Sequence, residues 1–63
     1  MRVTKADVGR WCLVQYDNPP KPLRGIIVEK NGHDRFLRVF FPHDDMIDSV
    51  EQSMVIKIGA KVR

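Results

Sequence analysis

The stretch Arg24–Phe41, RGIIVEKNGHDRFLRVFF, decides the fold. RGIIVEK (24–30) and FLRVFF (36–41) are rich in β-branched and aromatic residues, which favour a pleated, half-buried surface. Between them stands Asn31-Gly32, the strongest short hairpin signal, because a type I′ turn needs positive φ at both central positions. His33, Asp34 and Arg35 lengthen that turn. Pro42 lacks a backbone donor and ends the returning strand, and His43-Asp44-Asp45 makes the next turn. A lone hairpin is marginal in water, so the rest of the chain has to supply partner strands.

Working outward, WCLVQY (11–16) reads as the preceding strand. Alternation puts Cys12, Val14 and Tyr16 on one face and Trp11, Leu13 and Gln15 on the other. Asp17-Asn18-Pro19-Pro20-Lys21-Pro22 then interrupts any ladder. Downstream, Met46–Val50 reads as a short strand, Glu51–Ser53 as a 3₁₀ turn, and Met54–Ile58 as a last strand closed by Gly59. No segment carries helical periodicity over three turns. The expectation is therefore an all-β fold, a five-stranded, strongly bent antiparallel small barrel. Closure would hide the strand edges. Gly25 suits a corner where the long second strand bends. The expected core is Val8, Cys12, Val14, Gly25, Ile27, Leu37, Val39, Ile47, Val50, Val55 and Ile58. The facing of 36–41 stays open, because both of its faces are apolar apart from Arg38.

The chain has 63 residues, which makes one domain (1–63) with a small core at about 8–58 and basic, flexible ends. A chain of this size buries only about 60% of its unfolded surface. The single cysteine, Cys12, excludes an internal disulfide, and no Cys/His spacing suits a structural zinc. Neither a signal peptide nor a run near the roughly 20 apolar residues of a membrane helix is present. These features, with the initial Met and the lack of linker-like ends, are expected of a small complete intracellular protein, cytoplasmic or nucleoid/nuclear, without membrane contact. The net charge is +3. Its distribution is dipolar: Asp44, Asp45, Asp48 and Glu51 cluster, while Arg2, Lys5 and Arg10, and Lys57, Lys61 and Arg63, make both ends basic. Such a field steers partners.

The order of motifs resembles a known family. Val8-Gly9-Arg10-Trp11-Cys12-Leu13-Val14-Gln15-Tyr16, then Leu23-Arg24-Gly25-Ile26-Ile27, then Val39-Phe40-Phe41 before a polar turn, then Val50–Ile56, is similar to a Tudor domain of the SH3-like barrel group. The resemblance covers about residues 8–58 and implies recognition of methylated Lys or Arg in an aromatic cage. Cation–π attraction contributes about 0.5–2 kcal/mol per favourable contact in such a cage. Residue by residue, it places Tyr16 at the first cage position and Leu23 at a second that is commonly aromatic. Phe40 or Phe41 takes the third, and His43 or Asp44 the fourth. The function it implies is a non-enzymatic module binding a protein segment, cationic and methylated or not. The binding rim comprises Tyr16, Leu23, Phe40, Phe41, His43, Asp44 and Asp45.

The same residues admit other chemistry. His33, His43, Asp44, Asp45 and Asp48 are metal-ligand types, but their spacing fits no loop with defined ligand positions. A solvated turn, with Asp side chains bonding nearby backbone, is the better reading. No Ser or Cys has a base at a recognisable spacing and no glycine-rich loop opens a helix, so no catalytic group and no cofactor is assigned. Trp11 is expected to cover the open end of the barrel, and Cys12 to be a small buried hydrophobe. Phe36, Phe40 and Phe41 cannot all fit inside so small a barrel, so at least one is expected outside.

The alternative function is nucleic-acid binding by a basic–aromatic strand face built from Arg24, Lys30, Arg35, Phe36 and Arg38. In that reading Arg24 and Arg38 are near cross-strand neighbours. A third is a subunit whose exposed aromatics bury against another copy or a larger assembly, gaining stability by mass action.

Overall fold

A computed structural model describes residues 1–18 and 20–62. Pro19 of the proline loop and Arg63 of the basic C-terminus lie outside the described residues. The strands are β1 (Arg10–Val14), β2 (Leu23–Lys30), β3 (Phe36–Phe41), β4 (Met46–Glu51) and β5 (Val55–Lys61). Short 3₁₀ turns cover Lys5–Asp7 and Gln52–Met54. All strand pairs are antiparallel and form one sheet in the order β4-β3-β2-β1-β5.

This order forces the sheet to curl. A flat sheet would hold β4 and β5, its two edges, about 19 Å apart, at four strand spacings of about 4.8 Å. The Gln52–Met54 link is a 3₁₀ turn, which advances only about 2 Å per residue and cannot span that gap. Curling brings Val50 of β4 and Val55 of β5 into one cluster with Val3, Cys12, Val14, Ile27, Leu37, Val39 and Phe41. Closure stops short of the expected hydrogen-bonded barrel. Among the described residues, β4 and β5 form no ladder with each other.

Two glycines allow the bend. Gly9 sits at φ 90°, where a side chain would be strained. Its N–H donates to the Ile27 carbonyl at 2.7 Å, and its own carbonyl accepts from Val62 N–H at 2.7 Å. Gly25 is buried where β2 crosses β3. A Cβ there would overlap Val39 Cγ1 and stand 3.1 Å from the Phe40 carbonyl oxygen. Register shifts in β2 between Ile27 and Glu29, and in β1 on either side of Cys12 and Leu13, add further twist.

Several expectations are corrected. Ile47 is 56% exposed, because β4 pairs with β3 so that Ile47 faces Phe40 on the outer side. Val8 and Ile58 pack against the core but remain half-exposed. Phe41 and Val3 join the core instead. Val3 N–H donates to Gln52 Oε1 at 3.2 Å, and Gln52 N–H donates to the Arg35 carbonyl at 2.7 Å. The packed fold therefore reaches beyond 8–58 at its N-terminal side. It also does so at the other end, since β5 runs through Gly59 to Lys61. β1 ends at Val14, because Gln15 N–H turns away to the Met54 carbonyl.

The β2–β3 connection is not a type I′ turn. Neither Asn31 nor Gly32 has positive φ. The loop closes through Asp34 N–H to the Asn31 carbonyl at 3.2 Å, and the Lys30 ammonium donates to the Asn31 and Asp34 carbonyls. Lys30 is thereby drawn inward, 5% exposed, as a brace for the loop. That removes it from the expected nucleic-acid face.

Candidate functional site

The alternation of β3 settles which phenylalanine faces where. Leu37, Val39 and Phe41 point into the core, while Phe36, Arg38 and Phe40 point out. Phe41 lies at the inner end of β3, opposite Met46 of β4. Its ring centroid is 6.2 Å from that of Tyr16, with the planes inclined at 51°, a tilted aromatic pair.

Tyr16 follows β1 at the start of the proline loop. Gln15 braces that loop, its Nε2 donating to the Tyr16 carbonyl at 2.9 Å and the Pro20 carbonyl at 2.8 Å. The Tyr16 hydroxyl donates to Asp48 Oδ2 at 2.8 Å. This bond ties the end of β1 to the edge strand β4. It favours the neutral phenol beside a carboxylate, so burial and Asp48 together push the Tyr16 hydroxyl up to about 12.

Around this pair lies a pocket of about 240 Å³. Tyr16, Leu23, Phe41 and Met46 form its apolar walls, and Asp44, Asp48 and Asn18 its polar rim. The turn from Pro42 to Asp45 delivers Asp44 there, with its N–H donating to the Phe41 carbonyl at 3.1 Å. Asp45 takes a left-handed conformation, φ 52°, which Asp tolerates better than most residues.

Of the rim residues expected from sequence, the fold brings Tyr16, Leu23, Phe41 and Asp44 to one pocket. Phe40, His43 and Asp45 do not line it. Phe40 lies on the outer face between Ile26 and Ile47. His43 lies with Pro42 beside Trp11 and Arg24. Sequence reasoning missed Asn18, Met46 and Asp48. The signal was present for two of them, since Met46 and Asp48 alternate in register with inward Val50.

The expected basic–aromatic strand face is rearranged. Arg24 faces Leu13 of β1, and Arg38 faces Glu29 of β2, so the two are not neighbours. Arg24 lies instead over the Trp11 ring, 3.9 Å from its centroid. Phe36 and Arg35 are exposed at the far end of β3.

Cys12 is buried, and desolvation pushes its thiol up to about 11, against a lowering backbone hydrogen bond from Gly25. Such a thiol is inert at neutral pH. Among the described residues, no group of three or more His, Cys, Asp or Glu side chains converges as a metal site. Likewise, no helix is long and apolar enough to cross a membrane. The chain matches no family model, no curated protein and no solved structure.

Proposed function

We propose that the protein is a non-enzymatic Tudor-like module, an SH3-like barrel that binds a cationic segment of another protein in the Tyr16–Phe41 pocket. The strand order, the long loop after β1 and the 3₁₀ link before β5 support the barrel reading. One observation carries the function: two aromatic rings and two apolar side chains line a pocket whose rim holds the Asp44 and Asp48 carboxylates. A Lys or Arg side chain lays its methylene stem on apolar walls while its head stays at a polar rim. Leu23 and Met46 would take the stem, and Asp44 and Asp48 the charged head.

The aromatic cage is partial. Leu23 and Asp44 stand at the second and fourth positions, and Phe41 is only 5% exposed. Tyr16 is therefore the one ring wall open to a ligand, and the carboxylates contribute the larger attraction. Carboxylates prefer N–H donors, so unmodified and lower-methylated cations fit this rim as well as a fully methylated ammonium does.

Titrating a lysine-rich peptide while following backbone amide NMR shifts tests the reading. Shifts clustered at Tyr16, Leu23 and Asp44–Asp48 are expected, with binding weakened several-fold by Asp44→Lys. Absence of binding, or shifts centred elsewhere that ignore Asp44→Lys, would overturn it.

A further inference from the structure

The outer face of the sheet carries a second, chemically opposite surface. Cross-strand pairing lines up Ile47, Phe40, Ile26 and Trp11 in one apolar row across β4, β3, β2 and β1. Beside it runs a second row, Arg24–Leu13–Lys57, across β2, β1 and β5. Residues two apart on a strand share a face, so the rows are adjacent. Arg24 and Lys57 flank Leu13 with their Cα atoms about 10 Å apart, two strand spacings.

Two clefts share the Trp11–Arg24 stack in their linings. One, of about 210 Å³, is lined by Trp11, Cys12, Leu13, Arg24, Lys57 and Gly59. The other, of about 160 Å³, adds Pro42 and His43. Neither lining includes a carboxylate. Gly59 lines the larger cleft without a side chain, and a Cβ there would make only ordinary contact, 3.7 Å from Trp11 Cβ and from the Trp11 carbonyl oxygen, so the position accepts a side chain.

We propose that this face binds single-stranded nucleic acid, independently of the rim pocket. Cations without acidic neighbours in the lining select a polyanion. The flat groups select bases over phosphate alone, because bases stack on aromatic rings and on guanidinium planes. A duplex hides its base faces, so a single strand is the occupant that uses both features. Arg38 adds little, since Glu29 opposes it across the β2–β3 register shift.

Trp11 is the only tryptophan, so its fluorescence reports this face directly. Adding a thymidine oligonucleotide to the full chain at low salt is expected to quench it saturably. With two phosphate contacts, log affinity falls with log salt at a slope of about −1.4, at about −0.7 per contact on a single strand. Lys57→Ala is expected to reduce that slope by about 0.7. Gly59→Leu fills the larger cleft and is expected to weaken binding of a labelled oligonucleotide, read by anisotropy. Arg24→Lys keeps the charge and loses the plane, so affinity should fall while the salt slope holds. No quenching at low salt overturns the proposal, as does equal quenching by duplex or by polyglutamate. Binding that ignores Lys57→Ala and Gly59→Leu together overturns it too.

Discussion

Strands β3 and β4 pair residue for residue from Phe36–Glu51 to Phe41–Met46, yet they do different work. Every inward side chain of β3 is buried: Leu37, Val39 and Phe41. Opposite them on β4 stand Val50, Asp48 and Met46, of which only Val50 is buried. Val50 lies where the chain folds over into Gln52–Met54 and Val55. Farther along, among the described residues, no further strand pairs with the outer edge of β4, so the core stops at Asp48 and the pocket begins. A charge on the inward side of an edge strand also discourages another chain from adding to it. The same alternation thus yields a buried core face on one strand and an open pocket wall on the next.

The largest test of that division is Leu37→Ala. Leu37 is 2% exposed and pairs with Val50, so truncation should cost about 2–5 kcal/mol. A domain of this size holds only about 3–5 kcal/mol from its core. Thermal and denaturant melts followed by circular dichroism should therefore find the variant largely unfolded at room temperature. A folded variant with a melting point within a few degrees of the parent would mean that β3 is not the core strand.

Gly25→Ala probes the same strand from its neighbour. The added methyl overlaps Val39, which is fully buried and cannot yield, so the cost should be about 1–3 kcal/mol. Denaturant titration with an unchanged m value would register it as a lower midpoint.

Tyr16 bridges the two behaviours, since it packs on Phe41 and bonds to Asp48. Tyr16→Phe keeps the ring and loses the hydrogen bond, a change of about 0.5–1 kcal/mol. The parent should also lose stability in alkali. The phenol ionises near 10 when unfolded and near 12 when folded. Its contribution is therefore complete below pH 10 and disappears as pH rises from about 10 to about 12. Cys12, raised from 9.0 to about 11, adds a loss between those values. Subtracting the Tyr16→Phe curve from the parent curve isolates the phenol, and a flat difference would remove the Asp48 bond from the account.

The sequence was readable where local and tertiary preferences agree. β3 runs from Phe36 to Phe41 as its composition predicts, bounded by Pro42. Its facing was unreadable, because apolar residues occupy both sides and only pairing with β2 and β4 chooses between Phe40 and Phe41. Ile47 was misplaced for a related reason: an edge strand need not bury its most apolar residue. The Asn31-Gly32 signal predicted a tight turn, but Lys30 folds back on the Asn31 and Asp34 carbonyls and stabilises a longer loop. Among the pocket residues, Tyr16 and Leu23 follow from the resemblance to a Tudor domain, which offers Phe41 and Asp44 only as alternatives to Phe40 and His43. Alternation with Val50 puts Asp48 on the inward side of β4, but its bond to Tyr16, 32 positions away in sequence, is set by the tertiary fold.

The smallest effect on stability sharpens the comparison most. Met46 is 59% exposed, although it stands directly opposite buried Phe41. Met46→Ala removes an exposed surface contact, so stability should change by no more than about 0.5 kcal/mol. It also removes an apolar wall of the rim pocket, so affinity for a lysine-rich peptide should fall several-fold. Chemical denaturation and peptide titration on one preparation measure both. A variant that loses stability as Leu37→Ala does would make β4 a second core strand. One that keeps both properties would leave the pocket without this wall.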